Sequence, residues 1–293
     1  GEGHAYSLPF SGSGTEESVA KITRADLTGF HDNWFKPNNA TMVVVGDTTL
    51  EEILPQLERH FGKWAAGDVP VKTIATVEAP EKGAVYVVHR PESQQSIIIA
   101  GRLMEPKAND NEIGIEAANR ILGGDFTSRI NMNLREDKHW SYGARTVLLD
   151  TQAQRPFLAY APVQSDKSVE SIAEIAREFR DIVGDRLPSP DEINEAKEET
   201  IRSLPGRWET NGAVAGDLIE VLRFGLAEDY WDRYASMVQG LDVDDVSRGA
   251  ASMVNPAQTI WVIVGDKEQI VPGLAELGLG EIHFIDADGN PVE

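Results

Sequence analysis

The chain contains no cysteine, which excludes disulfides, thiolate metal sites and cysteine nucleophiles together and fits a reducing or an oxidising compartment equally well. It has no run of about 18 apolar residues, so no membrane-spanning helix is expected. Its first residues show neither the basic start nor the apolar core of a signal peptide, and the expectation is a soluble, unanchored chain. Basic residues are scarce: 27 Lys and Arg stand against 48 Asp and Glu, a net charge of −21. That average field repels a phosphate backbone or an anionic lipid surface, so neither nucleic acid nor a membrane is an expected partner.

Several catalytic signatures are missing as well. Zinc hydrolysis needs two or three neutral imidazoles or carboxylates converging on one ion. The six histidines, His4, His31, His60, His89, His139 and His283, contain no pair at ligand spacing, and neither H-E-x-x-H nor H-x-x-E-H occurs. Glu136-x-x-His139 has helical spacing but suits a solvated helix surface, so no metal ligands are expected in this chain. Gly12-Ser13-Gly14-Thr15 lacks the lysine of a phosphate-binding loop, and Gly123-Gly124 lacks the spacing of a dinucleotide fingerprint. No Gly-x-Ser-x-Gly elbow supports a serine nucleophile.

What is present suffices for large cores. The 293 residues are 41% apolar, enough for about two domains. Thr23-x-x-Asp26 opens a helix whose Leu27, Phe30, Trp34 and Phe35 share one face; Pro37-Asn38-Asn39 stops it. Thr41 to Val45 reads as a short buried strand, Gly46-Asp47 as a turn, and Leu50, Ile53, Leu54, Leu57 and Phe61 as a second helix ending at Gly62. The same order recurs 219 residues later: Asp26 falls on Asp245, Trp34 on Met253, Pro37 on Pro256, Val43-Val44-Val45 on Val262-Ile263-Val264, and Gly46-Asp47 on Gly265-Asp266. Recurrence in register favours duplication of a module.

On that basis residues 1–66 form the closing portion of a preceding module whose opening is missing, 67–83 a Pro-containing linker without sustained period, and 84–293 a complete module. Strands are expected at 84–88, 96–100, 142–149, 157–163 and 259–264. Ile172, Ile175, Ala176, Phe179, Ile182 and Val183 mark a helix stripe, Ser189-Pro190-x-Glu192 opens a further helix with a capping box, and more helices are expected at 211–225 and 229–239. Runs of strands followed by runs of helices predict an α+β fold, with helices packed on a mixed, largely antiparallel sheet.

One stretch is specific. Ile121-Leu122-Gly123-Gly124-Asp125-Phe126-Thr127-Ser128-Arg129 leads into Leu134-Arg135-Glu136 and then Trp140-Ser141-Tyr142. This order of helix, Gly-Gly turn, Ser-Arg helix ending Leu-Arg-Glu and Ser-Tyr strand start resembles the pitrilysin/insulinase family of zinc metallopeptidases. Ile22-Thr23, Phe30-His31, Pro37-x-Asn39, Val44-Val45-Gly46-Asp47 and Phe61-Gly62-Lys63-Trp64 are similar to the closing pattern of a module in these enzymes, so the likeness runs from about residue 15 to 266.

The resemblance implies a bipartite design in which one half carries the inverted H-x-x-E-H zinc motif and the other an arginine and a tyrosine that complete the site across a chamber. This chain, with Arg135 and Tyr142 seven positions apart and no zinc motif, resembles the metal-free C-terminal half. The resemblance further implies zinc in a partner half, a peptide substrate, Arg135 and Tyr142 as catalytic residues, Gly123, Gly124 and Phe126 as substrate-binding ones, and a periplasmic location. Each position also has a plainer reading: Arg135 beside Glu136 and Asp137 suits a surface ion pair, Tyr142 a boundary aromatic, and Gly123-Gly124 a helix cap. The alternative to a peptidase half is a catalytically inactive structural or interaction module of a larger assembly.

Overall fold

The computed structural model describes residues 12–292; residues 1–11, with His4 among them, and residue 293 lie outside the described residues. In chain order the helices are α1 (Glu16–Lys21), α2 (Arg24–Trp34), α3 (Leu50–Phe61), α4 (Glu112–Asn119), the single turn α5 (Arg129–Asn131), α6 (Ser168–Ile182), α7 (Pro190–Arg207), α8 (Asn211–Phe224), α9 (Tyr230–Gly240), α10 (Val243–Met253) and α11 (Lys267–Leu274). The strands are β1 (Ala84–His89), β2 (Gln95–Met104), β3 (Arg145–Leu148), β4 (Arg155–Gln164), β5 (Ile260–Gly265) and β6 (Glu281–Ile285). The chain divides into two compact units, one of residues up to Thr76 together with Pro205–Leu222, the other of Val77–Leu204 together with Arg223 onward.

The second unit is built on one six-stranded sheet in the order β3-β4-β2-β5-β1-β6. β1 runs parallel to β5 and β6, while β2 is antiparallel to β4 and β5, and β3 to β4, which gives the expected mixed α+β arrangement. Alternate residues of the strands are buried, among them Val85, Val87, Ile98, Ala100, Phe157, Ala159, Trp261 and Ile263, so helices cover this face of the sheet. The α6 stripe supplies Ile172, Ile175, Phe179 and Ile182, with the Phe179 ring centroid 5.8 Å from that of Phe157 and 6.1 Å from that of Trp261. Helices α4 and α10 touch backbone to backbone: a Cβ on Gly249 would meet the Gly114 carbonyl at 2.4 Å, so glycine is required at this crossing.

The first unit has well-formed helix starts and little core. Thr15, Thr23 and Thr49 each accept from the amide three residues on, and Ser18, Asp26 and Glu52 bond back to the cap amide, three reciprocal capping boxes. None of α1, α2 or α3 contains a buried residue, and Leu27, Phe30, Phe35, Leu50, Leu54 and Phe61 are all exposed. The expected strand at Thr41–Val45 is not formed: the segment has no strand partner among the described residues, and Met42 and Val44 stand about half exposed. A β-branched run becomes a strand only when a neighbour accepts its ladder hydrogen bonds. Its counterpart in the repeat, Val262-Ile263-Val264, lies inside β5 between β1 and β2. The expected strand 142–149 is shorter than the sequence pattern predicts, starting at Arg145 after a lone bridge between Ser141 and Val163.

Candidate functional site

The site lies wholly in the second unit, at the connection from α4 to β3. Past Asn119 the helix widens into a π-helical turn, Arg120–Gly124, before the loop 125–128. Gly123 is buried, and a Cβ there would meet the Thr146 amide nitrogen at 2.7 Å, so this glycine lets the turn lie directly against β3. Gly124 is exposed, and a Cβ on it would meet the Asn119 side chain at 2.7 Å. Asp125 closes the loop, accepting from the Phe126 amide at 2.6 Å through its carboxylate and from the Ser128 hydroxyl at 2.6 Å through its carbonyl.

Arg129, only 8% exposed, anchors the start of the next helix. Its guanidinium donates to both carboxylate oxygens of Glu192 at 2.7 Å and to the carbonyls of Arg186 and Leu187. Burial pushes the Glu192 carboxyl up, but the Arg129 fork, the Ser189 amide and the Ser189 hydroxyl outweigh it and hold it at about 2. The capping box read from Ser189-Pro190-x-Glu192 is therefore also half of a clamp on the Ser-Arg motif.

From α5 the helix continues as a second π-helical segment, Met132–Asp137, which carries Arg135. Lys138 N–H donates to the Asn133 carbonyl, and the amides of Trp140 and Ser141 both donate to that of Leu134, so the chain folds back over the helix end. His139 makes the reversal in the left-handed region, at φ 58°, where glycine or asparagine would be the usual choice. Its Nδ1 lies 3.0 Å from the Arg135 carbonyl, and its own carbonyl accepts from Gln164 of β4. Ser141 Oγ then donates to the Pro162 carbonyl at 2.6 Å, fixing the turn that holds Tyr142 to the sheet.

The result is an open groove of about 310 Å³ lined by Arg135, His139, Trp140 and Tyr142, with Gln95 of β2 and Gln164 of β4 among its other walls. Tyr142 is 90% exposed and the Arg135 side chain 39% exposed, so a ligand reaches both. The Arg135 guanidinium lies 4.5 Å from the centre of the half-exposed Phe126 ring, and its Nε is 3.4 Å from the Glu136 carboxylate. Of the sequence-predicted residues, the structure brings Arg135 and Tyr142 to one groove, puts Phe126 against Arg135, leaves Gly124 at the surface and buries Gly123 behind them. Sequence reasoning missed Gln95 and Gln164, which only the strand pairing delivers, and passed over His139 as a groove residue, because its left-handed backbone at the reversal emerges only on folding.

The donor set does not fit a metal. Among the described residues no group of three or more His, Asp or Glu side chains is placed to hold an ion. Glu136 and His139 both line the groove without a third ligand, and no step of a reaction is assigned to a metal bound by this chain.

Comparison with known proteins agrees with this anatomy. A family model described as the peptidase M16 inactive domain matches residues 21–200. An uncharacterized zinc protease of Mycobacterium leprae is 22% identical over 169 residues, 55% of this chain and 37% of that protein. The uncharacterized zinc protease YmxG of Bacillus subtilis is 25% identical over 138 residues, 47% of this chain and 32% of that protein. The chain thus spans about a third of the length of these curated relatives. Among solved structures, the peptidase M16 inactive domain from Pseudomonas fluorescens superimposes with a TM-score of 0.78 at 22% identity, covering 86% of this chain and 60% of that one. The periplasmic protease PqqL from Escherichia coli gives 0.68 at 16% identity, covering 86% and 28%. These structural likenesses establish the fold, and because the matched family model spans more than half of the sequence, the chain belongs to the M16 (pitrilysin/insulinase) peptidase family and carries its inactive domain.

Proposed function

We propose that this chain serves as the metal-free half of a zinc metalloendopeptidase, lending Arg135 and Tyr142 to a zinc site held by another half bearing H-x-x-E-H. The observation that carries the reading is their meeting in one open groove, although the two residues sit on different elements. In peptide hydrolysis negative charge grows on the scissile carbonyl oxygen. The Tyr142 hydroxyl, on a backbone fixed through Ser141, would donate to that oxygen; a preorganised donor of this kind is worth about 2.7–4 kcal/mol where one has been removed from other enzymes. Arg135 would hold and not react: its fork of donors, always charged, suits a backbone carbonyl or a carboxylate of the bound peptide. Phe126 and Gly124 would border the peptide, with Gly123 acting through the packing of the turn on β3.

The same reading takes the segment up to residue 66 as the closing portion of a preceding module, 67–83 as the linker and 84–293 as a full module. The uncovered apolar faces of α2 and α3 support it, since in the second unit the equivalent helices α10 and α11 bury Val246, Ala250, Met253, Ile270 and Leu274 and approach β2 and β1. The test is reconstitution. Mixed with the zinc-bearing half, the chain is expected to restore cleavage of an internally quenched peptide, and Tyr142→Phe to lower kcat by about 100-fold, the rate equivalent of a lost oxyanion donor. Unchanged turnover removes Tyr142 from the mechanism. Assembly without cleavage by the wild-type pair would favour a structural module.

A further inference from the structure

Asn131 is not among the residues that line the groove, yet it bonds both the loop that carries Phe126 and the chain just past Tyr142. It is 5% exposed, at the junction of α5 with the helical segment carrying Arg135. Its Nδ2 donates to the Phe126 carbonyl at 2.6 Å, and its Oδ1 accepts from the Ala144 amide at 3.1 Å. One carboxamide therefore fastens the loop that supplies the stacking partner of Arg135 to the strand start two residues beyond Tyr142. Ser141 anchors the other side of Tyr142, bonding the Pro162 carbonyl and bracketing Gly143 through its hydroxyl. Between these two pins the Tyr142 backbone is held while its ring stays in solvent. Arg135 lies four residues, about one helical turn, beyond Asn131, with its guanidinium over Phe126.

We infer that Asn131 is a positioning residue that sets Arg135 and Tyr142 in register with each other, an assignment that rests on the peptidase reading above. The chemistry of the position is demanding, because it needs a donor and an acceptor of fixed separation in a dry environment. Leucine fills the space but strands a partly buried carbonyl and a buried amide. Ionised aspartate keeps the acceptor, loses the donor and turns negative charge onto the Phe126 carbonyl. Protonated aspartic acid is nearly isosteric with asparagine and restores the donor.

The test uses the reconstituted complex with the zinc-bearing half and an internally quenched peptide. Asn131→Asp is expected to lower kcat/KM at least tenfold at pH 8, and the deficit relative to wild type to shrink as pH falls and the buried carboxyl takes up a proton. Asn131→Leu is expected to lose activity at all pH values. Combined with Tyr142→Phe it should lose far less than the product of the two single losses, because Tyr142→Phe removes the hydroxyl that Asn131→Leu displaces. Should Asn131→Leu fail to fold, the pH-dependent recovery of Asn131→Asp still decides. A deficit in Asn131→Asp that is flat with pH, or multiplicative losses in the double variant, marks a merely structural residue and overturns the inference while Tyr142→Phe keeps its effect. If Tyr142→Phe leaves turnover unchanged and Arg135→Lys leaves KM unchanged, the peptidase reading has failed and this assignment goes with it.

Discussion

The Arg135 guanidinium rests on the Phe126 ring, 4.5 Å from its centre, while the next residue, Glu136, approaches its Nε at 3.4 Å. A side chain of this length usually samples many rotamers at a surface; here the ring gives it a platform and leaves its outer donors free for a ligand. A guanidinium on an exposed aromatic face is held by about 0.5–1 kcal/mol. Phe126→Ala in the reconstituted peptidase is therefore expected to raise KM by about two- to fivefold with little change in kcat, since Arg135 is assigned to binding. Steady-state kinetics on one peptide checks this, and a fall in kcat at constant KM would contradict it.

The Arg129–Glu192 clamp makes stability depend on pH. With Glu192 held at about 2 against an ordinary value of 4.5, the folded state favours the ionised carboxylate. The contribution is complete above about pH 5 and disappears as pH falls from the ordinary value through the folded one. The Glu192 side chain is 32% exposed, so solvent screening reduces the contribution to about 2 kcal/mol. Denaturant midpoints of wild type and Glu192→Gln are expected to differ at pH 7 and to converge toward pH 2. A gap that stays constant with pH would show that the pair does not titrate this way.

Local signals carried most of what the sequence disclosed. The caps at Thr23 and Ser189 needed only neighbours three residues away, and both formed as read. The stripe of α6 faces the sheet because its period alone dictates which side is apolar. The strand at Thr41–Val45 failed for the opposite reason: strand formation is a property of a pair, and the ladder its composition invites is absent from the described residues. At the site, the order of motifs pointed to Arg135 and Tyr142. The fold-back at His139 and the pins at Asn131 and Ser141 depend on which backbone groups meet after folding, which spacing does not encode.

A second feature hidden from the sequence is the ionic cluster around Arg155. This side chain is fully buried and donates to both oxygens of Glu112 and to Asp150. Lys107, also buried, lies 2.6 Å from Glu116 and 3.2 Å from Glu112, and the Tyr234 hydroxyl donates to Glu116 at 2.7 Å. Burial pushes the Glu112 carboxyl upward, and the hydrogen bonds from Arg155 offset that only in part. Arg155→Met would leave Glu112 and Asp150 without their main partner and is expected to cost about 3–5 kcal/mol. Adding Glu112→Leu should recover part of the loss, because two matched apolar groups are cheaper to bury than one orphaned charge. Urea midpoints of the single and double variants measure both effects, and an additive further loss in the double variant would refute the coupling.

The first unit yields a prediction about hydrogen exchange. Amides of residues 41–45 have no ladder partners among the described residues, and the flanking helices expose Phe30, Phe35, Leu54 and Phe61 instead of burying them. Helices without a packed face open readily despite good caps, because a cap contributes about 1 kcal/mol whereas burial of an apolar side chain contributes about 1.5–3 kcal/mol. In the chain alone these amides are expected to exchange near the rate of an unstructured peptide, while β5 amides of the equivalent segment stay protected. On the proposal that residues 1–66 close a preceding module, protection of 41–45 should appear on binding a polypeptide that supplies strands on both sides of this segment, as β1 and β2 pair β5. Exchange mass spectrometry before and after mixing reads this directly. Strong protection in the free chain would mean that the segment already has its partner and that the apolar faces of α2 and α3 are not a module interface.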